Sequence, residues 1–288
     1  MPELPEVETV RRMIAAHVLG RTIARARTSG LALRGPVARD LPRRLAGRTL
    51  TGARRVGKYL LLDLDGELTL LSHLGMSGVW RFWEEPPAER LEHVHARLAF
   101  RDGGLLVYQD PRRFGLLELH PTAALARHPA LRALGPDPVA DPPTGERLRA
   151  LARGARTAGK PFLLDQRRIA GIGNIYASEV LFRARVSPRR RAGTLTRAEW
   201  DAVARETVAT LDEAIKRLGT TFRTYRNLWG EPGAYGERLL VYDREGEPCR
   251  SCGRPIRRLV QAQRSTFWCA HCQSAARATG RPRRSRSR

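Results

Sequence analysis

The chain lacks any apolar run approaching the roughly 20 residues that a bilayer-spanning helix needs, so a membrane-embedded protein is not expected. Its amino terminus lacks the basic-then-apolar order of a secretory signal and is acidic instead, at Glu3, Glu6 and Glu8. A cytoplasmic protein is the expectation. Cysteine is absent before residue 249, which excludes a disulfide framework for most of the chain. Acidic residues are scarce beside basic ones, and no internal repeat suggests a solenoid.

What is present is positive charge. Against 29 Asp and Glu stand 52 Lys and Arg, a net charge of +23 over 288 residues. That balance favours a polyanionic partner, through attraction and through release of condensed counterions. Nucleic acid comes first and an anionic membrane second; an arginine-rich composition that only keeps the chain soluble is the bland alternative. The length suits two domains with a small appendage.

All four cysteines fall in two pairs, Cys249-x2-Cys252 and Cys269-x2-Cys272. Two such pairs can set four thiolates at the corners of a tetrahedron, which suits one structural zinc ion better than redox chemistry in a reducing compartment. His271 could replace a thiolate, but with four available it reads as a bystander.

Along the chain, Val7, Val10, Ile14 and Val18 recur at near-helical spacing and predict an amphipathic helix over 5–19, stopped at Gly20. Short β-type runs follow at 22–28, 58–64, 68–74, 95–100, 104–108 and 115–120, with turn pairs at Asp65-Gly66 and Asp102-Gly103. An antiparallel sandwich or barrel is expected from them. Residues 134–145 hold four prolines without periodicity and read as a linker. Beyond it the pattern turns helical, most clearly where Thr196 and Glu199 form a capping box ahead of Trp200, Val203, Thr207, Leu211, Ile215 and Leu218. Residues 219–236 read as a mobile loop and 274–288 as a basic, disordered arm.

The first residues carry a chemical suggestion. Once the initiator Met is removed, Pro2 becomes a secondary α-amine, and an α-amine has a pKa of roughly 7.7–8 against about 10.4 for Lys. It is a ready nucleophile for an anomeric carbon, where displacement of a base leaves a charged imine; Glu3 beside it could act as general acid or base. By themselves, however, Pro2, Pro5 and the glutamates fit a helix start better.

The segment PELPEVETV resembles the amino terminus of the formamidopyrimidine-DNA glycosylase family, and five further motifs match in order. They are GKYLLLDL around Lys58, HLGMSG around Met76, DPRRFG at 110–115, GIGNIYASEVLF at 171–182 and QRSTFWC ending at Cys269. The resemblance spans residues 2 to about 273, and Leu4 resembles the branch acting on purines. It implies an α+β fold: an N-terminal antiparallel β-sandwich with a packed N-terminal helix (2–133), a linker (134–145), a helix-two-turns-helix unit (146–236) and a β-hairpin zinc finger (237–273) before the tail (274–288). It implies removal of oxidised purines from damaged double-stranded DNA, followed by strand cleavage at the abasic sugar. Pro2 is the implied Schiff-base nucleophile and Glu3 the acid at the sugar, with Lys58 and Arg264 promoting the successive eliminations. For Lys58 and Arg264 a plain phosphate contact is the rival reading.

Chemistry at an anomeric carbon inside a duplex requires the nucleotide to be flipped out and the void filled. Met76, Arg112 and Phe114 match the family's void-filling trio, an apolar wedge, a guanidinium for the orphaned base and an aromatic wedge; otherwise Met76 and Phe114 would be core residues. Arg113 has no assigned role. Asn174, after Gly171-Ile172-Gly173, is implied to contact phosphate together with the free backbone N–H groups of its turn, and it also reads as an ordinary N-cap. Tyr242 and Arg264 match further phosphate contacts.

Two departures stand out. Leu91 occupies a position where the family commonly has histidine, so the DNA contact at that histidine is not carried over, and the arginine-rich tail is longer than the family needs. Competing readings are an endonuclease-eight-like glycosylase for oxidised pyrimidines, a noncatalytic DNA-binding module, and a zinc-stabilised RNA-binding protein. A monomer is the expected state.

Overall fold

The computed structural model describes residues 2–221 and 225–274; the arginine-rich tail from residue 275 lies outside the described residues. The chain opens with helix α1 (Leu4–His17), with Pro5 in its first turn. Strand β1 (Ile23–Thr28) and a short helix α2 (Leu41–Leu45) lead to β2 (Leu50–Val56), β3 (Tyr59–Leu64), β4 (Leu68–His73), β5 (Val79–Trp83), β6 (Val94–Phe100), β7 (Leu105–Gln109) and β8 (Leu116–Pro121). These pair into two four-stranded antiparallel sheets, ordered β1-β6-β7-β5 and β2-β3-β4-β8.

The two-residue repeat of the strands decides which face each leucine serves. In β3, Leu60, Leu62 and Leu64 enter the core shared with Trp80, Phe82, Leu98 and Leu106 of the other sheet, while Leu61 between them joins a separate cluster with Leu71 and Leu125 on the outer face. Val7, Val10, Ile14 and Val18 of α1 enter the same sandwich core. Leu4, one turn earlier, belongs instead to the core of the helices that follow. One helix therefore carries the first residues of the chain into the seam between two cores.

After a short helix α3 (Pro129–Arg132), residues 133–144 form neither helix nor strand. The helical unit comprises α4 (Gly145–Ala152), α5 (Gly159–Leu164), α6 (Asn174–Arg183) and α7 (Arg197–Lys216). Thr196 and Glu199 cap α7 reciprocally, as the sequence pattern requires. Leu218 falls beyond the helix end, in the left-handed region at φ 60°.

The described part of the expected loop at 219–236 is irregular over most of its length, and residues from 225 onward are anchored by side chains. Tyr225 and Leu228 are buried in the sandwich core, Trp229 packs edge-on against His17, and Asn227 is wholly buried, its side-chain oxygen accepting from the N–H groups of Trp229 and Glu231. Apolar anchors hold this segment down.

The last element is the hairpin β9 (Arg257–Gln261) and β10 (Arg264–Trp268). Its small core of Val241, Ile256, Phe267 and Cys269 is completed by Phe182 of α6. The buried Glu179 carboxylate of α6 accepts three backbone N–H groups, from Leu240, Val241 and Tyr242, at 2.8–3.0 Å. That locks the approach to the hairpin onto the helical unit.

Candidate active site

Glu3 is 2% exposed, and its carboxylate accepts from the backbone N–H groups of Gly173 at 2.8 Å, Ile175 at 2.9 Å and Tyr176 at 3.4 Å. These are the orphan donors at the start of α6. The cap of α6 is thus a carboxylate from the far end of the chain, and the N-cap position belongs to Gly173, not Asn174. The reading of Asn174 as N-cap is corrected accordingly. So is the expected cradle of free backbone donors: three of them are already committed to Glu3.

Glycine at 171 and 173 makes this approach feasible. A Cβ on Gly173 would stand 2.3 Å from the Glu3 carboxyl carbon, and Gly171 has φ +88° with Leu4 packed against it. Leu4 also donates its N–H to the Gly171 carbonyl at 3.1 Å. Pro2, buried beside Glu3, is held at the same seam.

Glu6 forms a second layer that motif matching did not single out. Its carboxylate accepts from the Glu3 N–H at 2.7 Å, the Tyr176 hydroxyl at 2.6 Å and the Thr220 N–H at 2.7 Å. Burial and the neighbouring Glu3 charge push its carboxyl above the usual range, although these three donors oppose the rise. The available signal was the Glu3-x2-Glu6 spacing, which suits a capping box.

Lys58, on the β2–β3 turn, is 8% exposed. Burial and the Arg264 charge depress its ammonium, while Glu3 and Glu6 hold it up. Arg264 arrives from the opposite side at the tip of the zinc hairpin, just after Ala262 and Gln263, both at positive φ. Two consecutive left-handed residues match the right-handed twist of a tight hairpin but favour Asn or Gly; their use here fixes where Arg264 is displayed. Lys160 supports it from α5, donating to the Ser265 carbonyl at 2.6 Å and the Thr266 hydroxyl at 3.0 Å. Burial and the Arg264 charge lower Lys160 to about 7.

Lys58, Arg264 and Gly173 line one pocket of about 360 Å³ with Arg34, Tyr59 and His73. His73, brought down to about 3 by burial and the Arg34 and Lys58 charges, is a neutral ring whose Nδ1 accepts the Gly75 N–H. Ala130, Ala133 and Leu134 also line the pocket.

Met76 and Phe114 do not join the core. They are 40% and 43% exposed on neighbouring loops, and the Arg112 guanidinium lies over the Phe114 ring at 4.8 Å. Large apolar side chains this exposed on neighbouring loops form the kind of patch that marks an interaction surface. Asp110 sets both loops: wholly buried, it accepts from the Ser77 hydroxyl at 2.6 Å and the Gly115 N–H at 2.8 Å. Arg113, at φ +56°, makes the turn between Arg112 and Phe114. The Asn174 amide donates to the Tyr242 hydroxyl at 3.3 Å, so these two residues form one unit.

The four cysteine sulfurs lie within 4.8 Å of one another, with Cys249–Cys272 at 3.9 Å and Cys252–Cys269 at 3.5 Å. Four convergent sulfurs are the donor set of one structural zinc ion, which deprotonates them and ties the hairpin base together.

Residues 1–117 match the family described as Formamidopyrimidine-DNA glycosylase N-terminal domain, 134–226 the Formamidopyrimidine-DNA glycosylase H2TH domain, and 246–275 the zinc finger found in FPG and IleRS. A formamidopyrimidine-DNA glycosylase of Methylococcus capsulatus is 48% identical over 95% of this chain and the whole of that protein. Among solved structures, a complex of the Lactococcus lactis protein with DNA containing an abasic site superposes with a TM-score of 0.87 at 34% identity, covering 95% of this chain and 100% of that one. The Thermus thermophilus protein gives 0.82 at 39% identity, over 94% and 98%.

Proposed function

The chain belongs to the formamidopyrimidine-DNA glycosylase family, and from that membership we propose how its own residues excise a damaged base and cut the strand. The enzyme is a bifunctional base-excision-repair glycosylase and lyase acting on damaged duplex DNA. The processed Pro2 amine attacks C1′ of a flipped nucleotide. The Pro2 nitrogen gives its proton to the Glu3 carboxylate as the N–C1′ bond forms, and the base leaves with the glycosidic electron pair and is protonated by water; the sugar ring then opens as its oxygen takes that proton from Glu3, leaving an iminium on Pro2. Loss of a C2′ proton then expels the 3′ phosphate, and a second elimination expels the 5′ phosphate. Lys58 and Arg264 face these leaving phosphates as cations.

Met76 and Phe114 wedge into the vacated stack while Arg112 hydrogen-bonds the widowed base. Turning over the Asn174 amide would let the Tyr242 hydroxyl donate to its oxygen and aim its NH2 group at a phosphate. In this reading the sandwich of residues 2–133 supplies nucleophile and wedge, the helical unit of 146–236 the phosphate contacts, and the finger of 237–273 Arg264. One chain suffices, acting on cytoplasmic, nucleoid DNA.

The observation that carries the proposal is the convergence of Glu3, Lys58 and Arg264 from three parts of the chain on one seam. The test is borohydride trapping of the processed protein on a duplex with 8-oxoguanine opposite cytosine, followed by mass spectrometry of the linked peptide. An adduct on Pro2 is expected; no adduct, or one on Lys58, would overturn the assignment.

A further inference from the structure

Away from that seam, three metal-ligating side chains meet on the outer face of the sandwich. β8 alternates, sending Leu117 and Leu119 into the core and Glu118 and His120 to the opposite face. The turn after β8 brings His128, at the start of α3, back over them. Both imidazole Nε2 atoms address the same Glu118 oxygen, His120 at 3.0 Å and His128 at 3.1 Å, and the two rings meet edge-on at 5.2 Å.

We propose that Glu118, His120 and His128 form a second transition-metal site, separate from the four cysteines, that binds a zinc-class divalent ion. Two imidazoles and a carboxylate with room for water are a donor set that zinc accepts readily. Around an ion with bonds of about 2.0–2.1 Å, tetrahedral geometry puts neighbouring donors roughly 3.3–3.4 Å apart. The observed separations fall short of that by a few tenths of an ångström, which side-chain rotation supplies. The ion takes the place of the hydrogen bonds that both Nε2 atoms now share with Glu118, each neutral ring then carrying its proton on Nδ1. The side chains of His128, His120 and Glu118 are 14%, 30% and 32% exposed, recessed but reachable.

His128 Nδ1 is buried without a partner. Nothing behind the ring therefore fixes its tautomer, and the proton can move to Nδ1 when an ion takes Nε2. The same feature limits affinity, because a ligating histidine without a hydrogen-bonded second nitrogen gives up roughly 10–100-fold. The site is accordingly weaker than the cysteine centre. Its location gives it a consequence: the ion ties β8 to α3, and Ala130, Ala133 and Leu134, directly after His128, wall the pocket that holds Lys58 and Arg264. The site does not depend on the assignment of Pro2.

The test is calorimetric titration of zinc chloride into protein already carrying its cysteine-bound zinc. One further equivalent is expected. His128→Ala and His120→Asn should each weaken it by roughly tenfold or more while the cysteine-bound zinc is retained. Added zinc should raise the thermal midpoint of the parent protein and leave that of the variants unchanged. His120→Asn alters a strand-end side chain and keeps the result interpretable should His128→Ala fail to fold. No further equivalent, or one that survives both substitutions, would overturn the proposal.

Discussion

At the scale of single residues, the seam tolerates no added atom. Gly173→Ala places a methyl group 2.3 Å from the Glu3 carboxyl carbon, so either the carboxylate leaves the α6 N–H groups or the turn opens. Base excision is expected to fall by roughly 100-fold or more, as for a misplaced catalytic group, while zinc content and binding to an abasic-site duplex persist. Retained excision would show that Glu3 need not be held by α6. Pro2→Gly keeps an amine but gives up the rigid secondary one, and single-turnover excision should slow by roughly tenfold or more; an unchanged rate would deny the ring a role.

What could be read in advance divides along the same line. Pro2, Glu3, Lys58, Arg264 and the four cysteines could be singled out as candidates because each sits in a short motif whose residue types carry chemistry. Their partners were not. Glu6, Asp110, Glu179 and Lys160 act through contacts as far as 214 residues away in sequence, as between Glu6 and Thr220, and nothing local marks a buried carboxylate as the cap of a distant segment. Asn174 was misread as an N-cap for this reason: its position at a helix start was visible, whereas the rival acceptor 171 residues upstream was not.

At the scale of elements, α1, β3 and α7 followed from apolar residues that recur on one face of each, and β4 from a short leucine-rich run after the turn pair Asp65-Gly66. β2 escaped because two adjacent arginines, Arg54 and Arg55, put a charge on each of its faces. Arg54 pairs with Asp63 across the strands, while Arg55 is drawn into a buried network with Glu8 of α1 and Asp137 beyond α3. That network anchors α1, and with it the site, by charge as well as by Val7 and Val10. Burial pushes the Glu8 carboxyl up, but Arg11, Arg12 and Arg55 together outweigh it and hold it down at about 2. A carboxyl lowered on folding stabilises the fold above its unfolded value, near 4.5, and the benefit drains away as pH falls toward 2. For a side chain only 7% exposed this is worth at most about 3 kcal/mol. Urea unfolding at pH 6 and pH 3 should show Glu8→Gln destabilised at the higher pH, with the gap to the parent roughly halved at the lower. A constant gap would place the role of Glu8 in packing.

At the scale of the whole molecule, two cores and a finger meet where the first and last motifs of the chain meet, so binding and chemistry are separable in origin. The charge of +23 is expected to act through phosphates. If six to ten of them are contacted, affinity for duplex DNA should fall by roughly 10³–10⁵ between 50 and 200 mM salt. A flat response would mean that the wedge residues, not the phosphate contacts, dominate binding. The finger tests the division further. Cys252→Ser removes one of four thiolates, so the zinc ion and the hairpin base it ties are lost together, and Arg264 is no longer displayed at a fixed tip. The sandwich core and the helical core do not draw on those sulfurs and should keep their cooperative unfolding transition. Pro2, Glu3 and Lys58 would then remain assembled without their opposing cation. The variant should therefore lose duplex affinity and strand cutting, yet still yield some borohydride-trapped Pro2 adduct at high enzyme concentration and low salt. Loss of the adduct together with the core transition would mean instead that the finger is needed to fold the seam itself.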